Sequence, residues 1–149
     1  MKVVVQRVNS ASVKVHDNIV GKINKGVLVL VGFTNNDTVD NIKYIVNKII
    51  NLRIFDDENG VMNISLKDKN YEILSVSQFT LYADCKKGNR PSYVNSLKHE
   101  EAEKLYDIFN EELRKSGLKV ETGIFRSDMK VSLENDGPVT IILERWWLL

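Results

Sequence analysis

The run Gly26-Val27-Leu28-Val29-Leu30-Val31-Gly32 is apolar at every position between its two glycines. A strand turns successive side chains to opposite faces, so an uninterrupted apolar run predicts a strand buried on both of them. Such a strand belongs at the centre of a sheet. Upstream, Val3, Val5 and Val8, then Val13 and Val15, predict two strands joined near 9–11, and residues 19–23 predict another, with Asp17-Asn18 and Gly26 as punctuation. Downstream, Val39, Ile42, Ile45, Val46, Ile49 and Ile50 recur at three- and four-residue spacing. They predict a helix with Asp37 or Thr38 at its cap.

Residues 53–55 then predict a short strand, Asp56-Asp57-Glu58-Asn59-Gly60 a turn, and 71–78 a strand running into a polar corner at Phe79 and Thr80. A second helix is predicted over 99–115, with Ala102, Leu105, Phe109 and Leu113 inward. Its acids Glu100, Glu101 and Glu103 lie near the start and Arg114 and Lys115 at the end, as the helix dipole favours, and Gly117 closes it. Strands at 119–122, 129–135 and 139–145 complete the pattern. Strands dominate without a repeating βαβ order, so the fold class is α+β. The expectation is one domain, 1–149, with a curved, partly closed, barrel-like sheet and two main helices outside it. Trp146, Trp147, Leu148 and Leu149 at the end predict an apolar patch packed against the domain or a second subunit.

Composition narrows the function. The chain has 149 residues, 21 basic and 20 acidic, for a net charge of +1, so global charge does not mark it as a nucleic-acid binder. Lys86, Lys87 and Arg90 nevertheless form a small basic loop suited to a few phosphates. The single cysteine, Cys85, cannot form an internal bridge, which suits a reducing compartment. Val3, Val4 and Val5 are too short a run for a signal-peptide core, and no stretch approaches membrane-spanning length. The expected location is cytoplasmic, with no membrane partner and no DNA partner.

Several familiar chemistries are excluded. Gly21 and Gly26 have phosphate-loop spacing, but Val27 and Leu28 stand where lysine and serine or threonine are needed. His16, in a hairpin turn, and His99, at a helix start, are expected on the surface. Neither has a serine-elbow or cysteine–histidine context. Two isolated histidines and one cysteine give no zinc pattern, so neither metal nor cofactor is expected. What remains is polar and conformational. Ser77-Gln78-Phe79-Thr80 ends a strand, and Thr80 is a candidate nucleophile without an evident base. Alternatively, the backbone N–H groups of Phe79 and Thr80 donate to a developing oxyanion. Gly137-Pro138 is a bend that lets main chain approach a ligand closely.

These blocks together resemble the D-aminoacyl-tRNA deacylase family, a group of editing hydrolases. The resemblance starts from Gln6-Arg7-Val8 and Ala11-Ser12-Val13, and from Gly26 with the strand ending at Gly32. It continues through Ser77-Gln78-Phe79-Thr80-Leu81 and Lys86-Lys87-Gly88-Asn89-Arg90-Pro91-Ser92. It closes with Gly123, Phe125 and Met129, then Asn135-Asp136-Gly137-Pro138-Val139-Thr140. It implies a homodimer acting on the aminoacylated 3′ end of tRNA. Ser77, Gln78, Phe79 and Thr80 would line one subunit's pocket. Gly137-Pro138, expected cis, would enter from the other, supported by Arg7 and Met129. Two departures stand out: Arg126 occupies a position where the family commonly has glycine, and the Trp-Trp tail extends past the last strand.

The implied chemistry suits a site without a catalytic histidine. An ester on the terminal adenosine lies beside a vicinal ribose hydroxyl, so the RNA can supply the proton-transfer or nucleophilic function while the protein orients and stabilises. Sparing L-aminoacyl-tRNA by about 10³–10⁴ requires about 4–5.5 kcal/mol. A methylene-sized pocket preference gives only about 1–3 kcal/mol, whereas a clash with fixed main chain can exceed it. Rejection of L residues by the Gly137 and Pro138 carbonyls would leave glycine unrejected, so glycyl-tRNA, including glycine mischarged on alanine tRNA, is an expected substrate. The alternatives are a non-catalytic tRNA-binding module and an esterase with a protein nucleophile.

Overall fold

A computed structural model describes residues 1–145; the expectation for the Trp146-Trp147 tail lies outside them. In chain order the elements are β1 (Lys2–Val15), β2 (Asn18–Ile23), β3 (Gly26–Gly32), α1 (Val39–Asn51), β4 (Phe55–Asp56), β5 (Met62–Ile64), α2 (Leu66–Lys69), β6 (Glu72–Ser77), a 3-10 turn (Phe79–Tyr82), α3 (His99–Arg114), β7 (Val120–Thr122) and β8 (Lys130–Glu144). The main sheet runs β2-β1-β3-β6-β7, with β8 also paired to β1. Pairing is antiparallel around β1 and parallel for β3–β6 and β6–β7. The sheet nearly closes on itself: a β-carbon on Gly21 of β2 would lie 2.8 Å from the Thr122 carbonyl oxygen of β7. The fold is α+β with a barrel-like sheet, as the sequence predicts.

The central run behaves as its pattern requires. Val27, Val29 and Val31 face α1 and α3, beside Val3, Val5, Ile73 and Phe109. Leu28 faces the inner core with Val8, Ala11, Val13, Leu74 and Val76. Each fully buried aliphatic side chain contributes about 1.5–3 kcal/mol, so the two faces together supply the main driving force. Register irregularities around Val8 change the facing of β1 partway along, which brings Val8, Ala11 and Val13 to one side.

Three strand predictions are corrected. Residues 2–15 form one strand rather than two joined near 9–11. β8 pairs across the predicted break through Val8↔Asn135 and Ser10↔Glu134, and the Asn9 amide donates to Glu134 at 2.7 Å. Likewise 129–135 and 139–145 are one strand, β8, with the Gly137-Pro138 bend carried as a bulge between Asn135 and Thr140. Residues 53–54 are not strand; the Arg53 side chain instead donates to the Asn63 carbonyl at 2.9 Å. The small β4–β5 hairpin and α2 lie beyond what the periodicity predicts. Thr38, not Asp37, caps α1, in a reciprocal capping box with Asn41. Asp37 is engaged by the Met1 amino group at 2.6 Å. No helix among the described residues is long and apolar enough to cross a membrane.

Candidate active site

β6 leaves the sheet at Gln78, whose N–H donates to the Val31 carbonyl at 2.7 Å. The chain then tightens into the 3-10 turn, in which Leu81 N–H donates to the Gln78 carbonyl at 3.2 Å. The two N–H groups ahead of that bond, on Phe79 and Thr80, have no acceptor among the described residues. The first donors of any helical turn lack internal partners. Phe79 lines a cleft of about 410 Å³, and Thr80 follows it in the turn.

Ser77, Gln78 and Phe79 line one wall of that cleft, and Met129 lines the wall formed by 125–129. Thr80 is half-buried in the turn beside it, its hydroxyl accepting a hydrogen bond from the Gln78 side-chain amide. The Ser96 hydroxyl donates to the Phe79 carbonyl at 3.0 Å, fixing the corner from the loop that leads to α3. The Phe79 ring stands edge-on to Tyr93 and His99, with centroids 5.1 Å and 5.6 Å away. Below the corner, a buried chain of hydrogen bonds ties β6 to α3. Tyr106 donates to the Ser75 carbonyl at 2.8 Å, and the Ser75 hydroxyl donates to Asn110 at 2.7 Å. Burial raises the Tyr106 phenol above its ordinary pKa, against the opposing effect of its hydrogen bonds with Ser75 and Asn110.

His99 corrects an expectation. Instead of lying free on the surface it is half-buried in the cleft wall, between Phe79 and Phe125, the latter 6.4 Å away. It makes no hydrogen bond with the Ser77 or Thr80 hydroxyl. Leu97 and Ala102 join the same wall. Nothing local in the sequence signals these residues. They arrive because Leu97 N–H donates to the Phe33 carbonyl at 3.1 Å and so docks the start of α3 over the corner.

The second constellation lies elsewhere in the chain. Arg7 is buried; its Nη1 donates to the Ile54 carbonyl at 2.7 Å and its Nε to the Asp136 carbonyl at 3.3 Å. Asp56 and Asp136 balance its charge at 3.5 Å and 3.2 Å. The Asn135 amide donates to the Arg7 and Val139 carbonyls at 2.9 Å and 3.1 Å, closing the base of the bulge. Gly137 has φ of +118°, a conformation that L side chains avoid, and the Gly137-Pro138 bond is cis. Both residues are exposed. Arg7 pairs with Val27, whereas Ser77 pairs with Val31 and Val31 with Val3. The bend and the corner are therefore four residues apart along the strands, about 13 Å, and three strand spacings apart across the sheet. The fold does not bring Gly137, Pro138 or Arg7 into the cleft of the same chain.

Lys86, Lys87 and Arg90 are exposed in the loop after the 3-10 turn, which is pinched by the Asp84↔Ser92 bridge. Among the described residues no group of three or more His, Cys, Asp or Glu side chains is placed to hold a metal ion.

A family model described as D-Tyr-tRNA(Tyr) deacylase matches residues 4–144. This chain belongs to that family. It is 56% identical over 144 residues to a D-aminoacyl-tRNA deacylase of Clostridium perfringens (strain SM101 / Type A), covering 97% of each chain. It is 59% identical over 145 residues to the D-aminoacyl-tRNA deacylase of Thermosipho melanesiensis, again covering 97% of each. Among solved structures, one described as a c-Myc DNA unwinding element binding protein is 45% identical. Its TM-score is 0.92, and the match covers 99% of this chain and 100% of that one. A probable eukaryotic D-amino acid tRNA deacylase, 20% identical, shares the deacylase fold at a TM-score of 0.83, with 95% and 97% covered.

Proposed function

We propose that this protein is an editing hydrolase that cleaves the ester of D-aminoacyl-tRNA to free D-amino acid and tRNA. Family membership supports the activity. The single observation that carries the mechanism is the pair of unpartnered N–H groups on Phe79, which lines the cleft, and on Thr80 next to it in the turn. Two such donors suit the oxygen that gains charge as an ester is attacked. The Thr80 hydroxyl has no base beside it, so the vicinal ribose hydroxyl of the substrate serves as the assisting group. Ser77, Gln78, Phe79 and Thr80 then orient the ester, and Lys86, Lys87 and Arg90 attract the RNA backbone.

Chiral selection, in this reading, belongs to a homodimer. Gly137 and Pro138 are exposed and distant from their own cleft, and β8 presents Ile142 and Leu133, 63% and 37% exposed, beside them. A partner's bend would enter the cleft with its carbonyls filling the space an L side chain needs. Arg7 holds that bend, and Met129 shapes the wall it meets. Glycine passes such a filter, so glycyl-tRNA(Ala) is also a substrate.

The test compares D-tyrosyl-, L-tyrosyl- and glycyl-tRNA. Turnover of the D and glycyl esters with the L ester spared is expected; equal D and L rates end the chiral model. RNA binding without any ester turnover selects a non-catalytic tRNA-binding module. Mixing protomers altered in the bend with protomers altered at the corner recovers one working site per dimer. No recovery from an assembled heterodimer removes the cross-subunit arrangement.

A further inference from the structure

We infer that Arg126 is a further substrate-binding residue, taking the phosphodiester on the 5′ side of the terminal nucleoside at the mouth of the cleft. The inference rests on the deacylase reading of that site. Arg126 is the third residue of a turn closed by the Ser127 N–H donating to the Ile124 carbonyl at 3.3 Å. Its φ of +65° lies in the left-handed region, where glycine is at home and a side chain is not. Phe125, one residue earlier, puts its ring into the aromatic wall against His99, while Arg126 is exposed. The turn thus places an aromatic face inside and a guanidinium at the rim.

The charge is uncommitted. Among the residues lining the cleft, Arg126 is the only lysine or arginine. Asp128, its acidic neighbour in that lining, is paired with Lys130 at 3.0 Å. Arg126 itself has no ion pair and no side-chain hydrogen bond among the described residues. A backbone conformation that costs free energy, held at a site and presenting a free cation, indicates a role for the side chain. The substrate supplies the matching group: its ester sits on the last ribose, and the nearest phosphate is held on the 5′ carbon of that same ribose. A guanidinium fork suits a phosphodiester better than a point charge.

The experiment measures kcat/KM on a D-aminoacyl-tRNA and on the corresponding D-aminoacyl ester of adenosine, which has no phosphate. In Arg126→Gly and Arg126→Gln the ratio of the first to the second is expected to fall about fivefold, mostly through KM, with Arg126→Lys intermediate. The salt dependence of the tRNA reaction is expected to flatten by about 0.7 in log–log slope. Arg126→Gly melts no earlier than the parent, which sets aside a folding defect. An unchanged ratio in both variants overturns the inference, as does a change confined to Arg126→Gly, which would trace to the backbone. Binding of an uncharged single-stranded RNA ending in a 3′ adenosine is measured in parallel. About three- to fivefold weaker binding by Arg126→Gln supports the inference and equal affinity overturns it. If the unaltered protein hydrolyses neither ester, the deacylase reading fails, while the RNA-binding arm still decides the role of Arg126.

Discussion

Arg7 and Gly137 are in contact through space across the β1–β8 bulge: a β-carbon on Gly137 would lie 3.0 Å from Arg7 Nη2. The guanidinium rests on the main chain of the bend because the glycine leaves room for it. Its other donors reach Ile54 and Asp136, so one buried side chain fixes the bend to the segment before β4.

Replacing Arg7 by methionine keeps most of the volume and removes every donor. Stability is expected to fall by about 2 kcal/mol, because the Ile54 and Asp136 carbonyls lose charge-assisted partners. The D-to-L rate ratio is expected to fall as well. Denaturant melts read the first effect and paired deacylation assays the second; full retention of both would deny Arg7 its anchoring role.

Gly26→Ala tests the crossing at the sheet centre. A β-carbon there would lie 1.8 Å from the Glu72 carbonyl oxygen and 2.7 Å from the Glu72 nitrogen, all main chain in the neighbouring strand. Relief requires β3 and β6 to separate, so a loss of about 3 kcal/mol or more is expected in urea unfolding. A small change would mean that the parallel pairing is looser than its register indicates.

Thr80→Ala and His99→Phe test whether either side chain takes part in the chemistry. The threonine hydroxyl accepts a hydrogen bond from Gln78, and the histidine ring packs edge-on against Phe79. Single-turnover deacylation is expected to stay within about tenfold of the parent in each, far from the loss caused by removing a nucleophile or its base. Abolished turnover in folded Thr80→Ala would point to a threonine nucleophile.

Stability is expected to decline above about pH 10, the ordinary ionisation range of tyrosine. Burial, then the charges of Asp37 and Glu144, push the Tyr82 phenol above that range, and burial does the same for Tyr106. A group whose pKa is raised on folding adds stability below its unfolded pKa and loses it as pH rises toward the folded one. Thermal melts between pH 8 and 11.5 follow the decline, and Tyr106→Phe makes it shallower. A pH-independent melting point across that range contradicts the linkage.

The elements set by local pattern were legible in the sequence. The alternating faces of 27–31 and the three-to-four spacing of Ile42, Ile45 and Ile49 each have one physical reading. What pattern could not express was pairing. Asn9 and Ser10 look like a break until β8 lies beside them, and Asp136 to Val139 look like a loop until both flanks are seen on one strand. The corner at 77–80 was legible as the polar end of a strand. His99 was not, because its place depends on how the 83–98 loop lays α3 across the sheet.

β1 and β8 are partners from Lys2↔Glu144 to Lys14↔Lys130, so the first strand of the sheet to be synthesised must wait for the last. Until then the nascent chain carries an unsatisfied hydrogen-bonding edge on its spine, and closure demands the costliest loop in the molecule. Slow final assembly follows from that one strand pair.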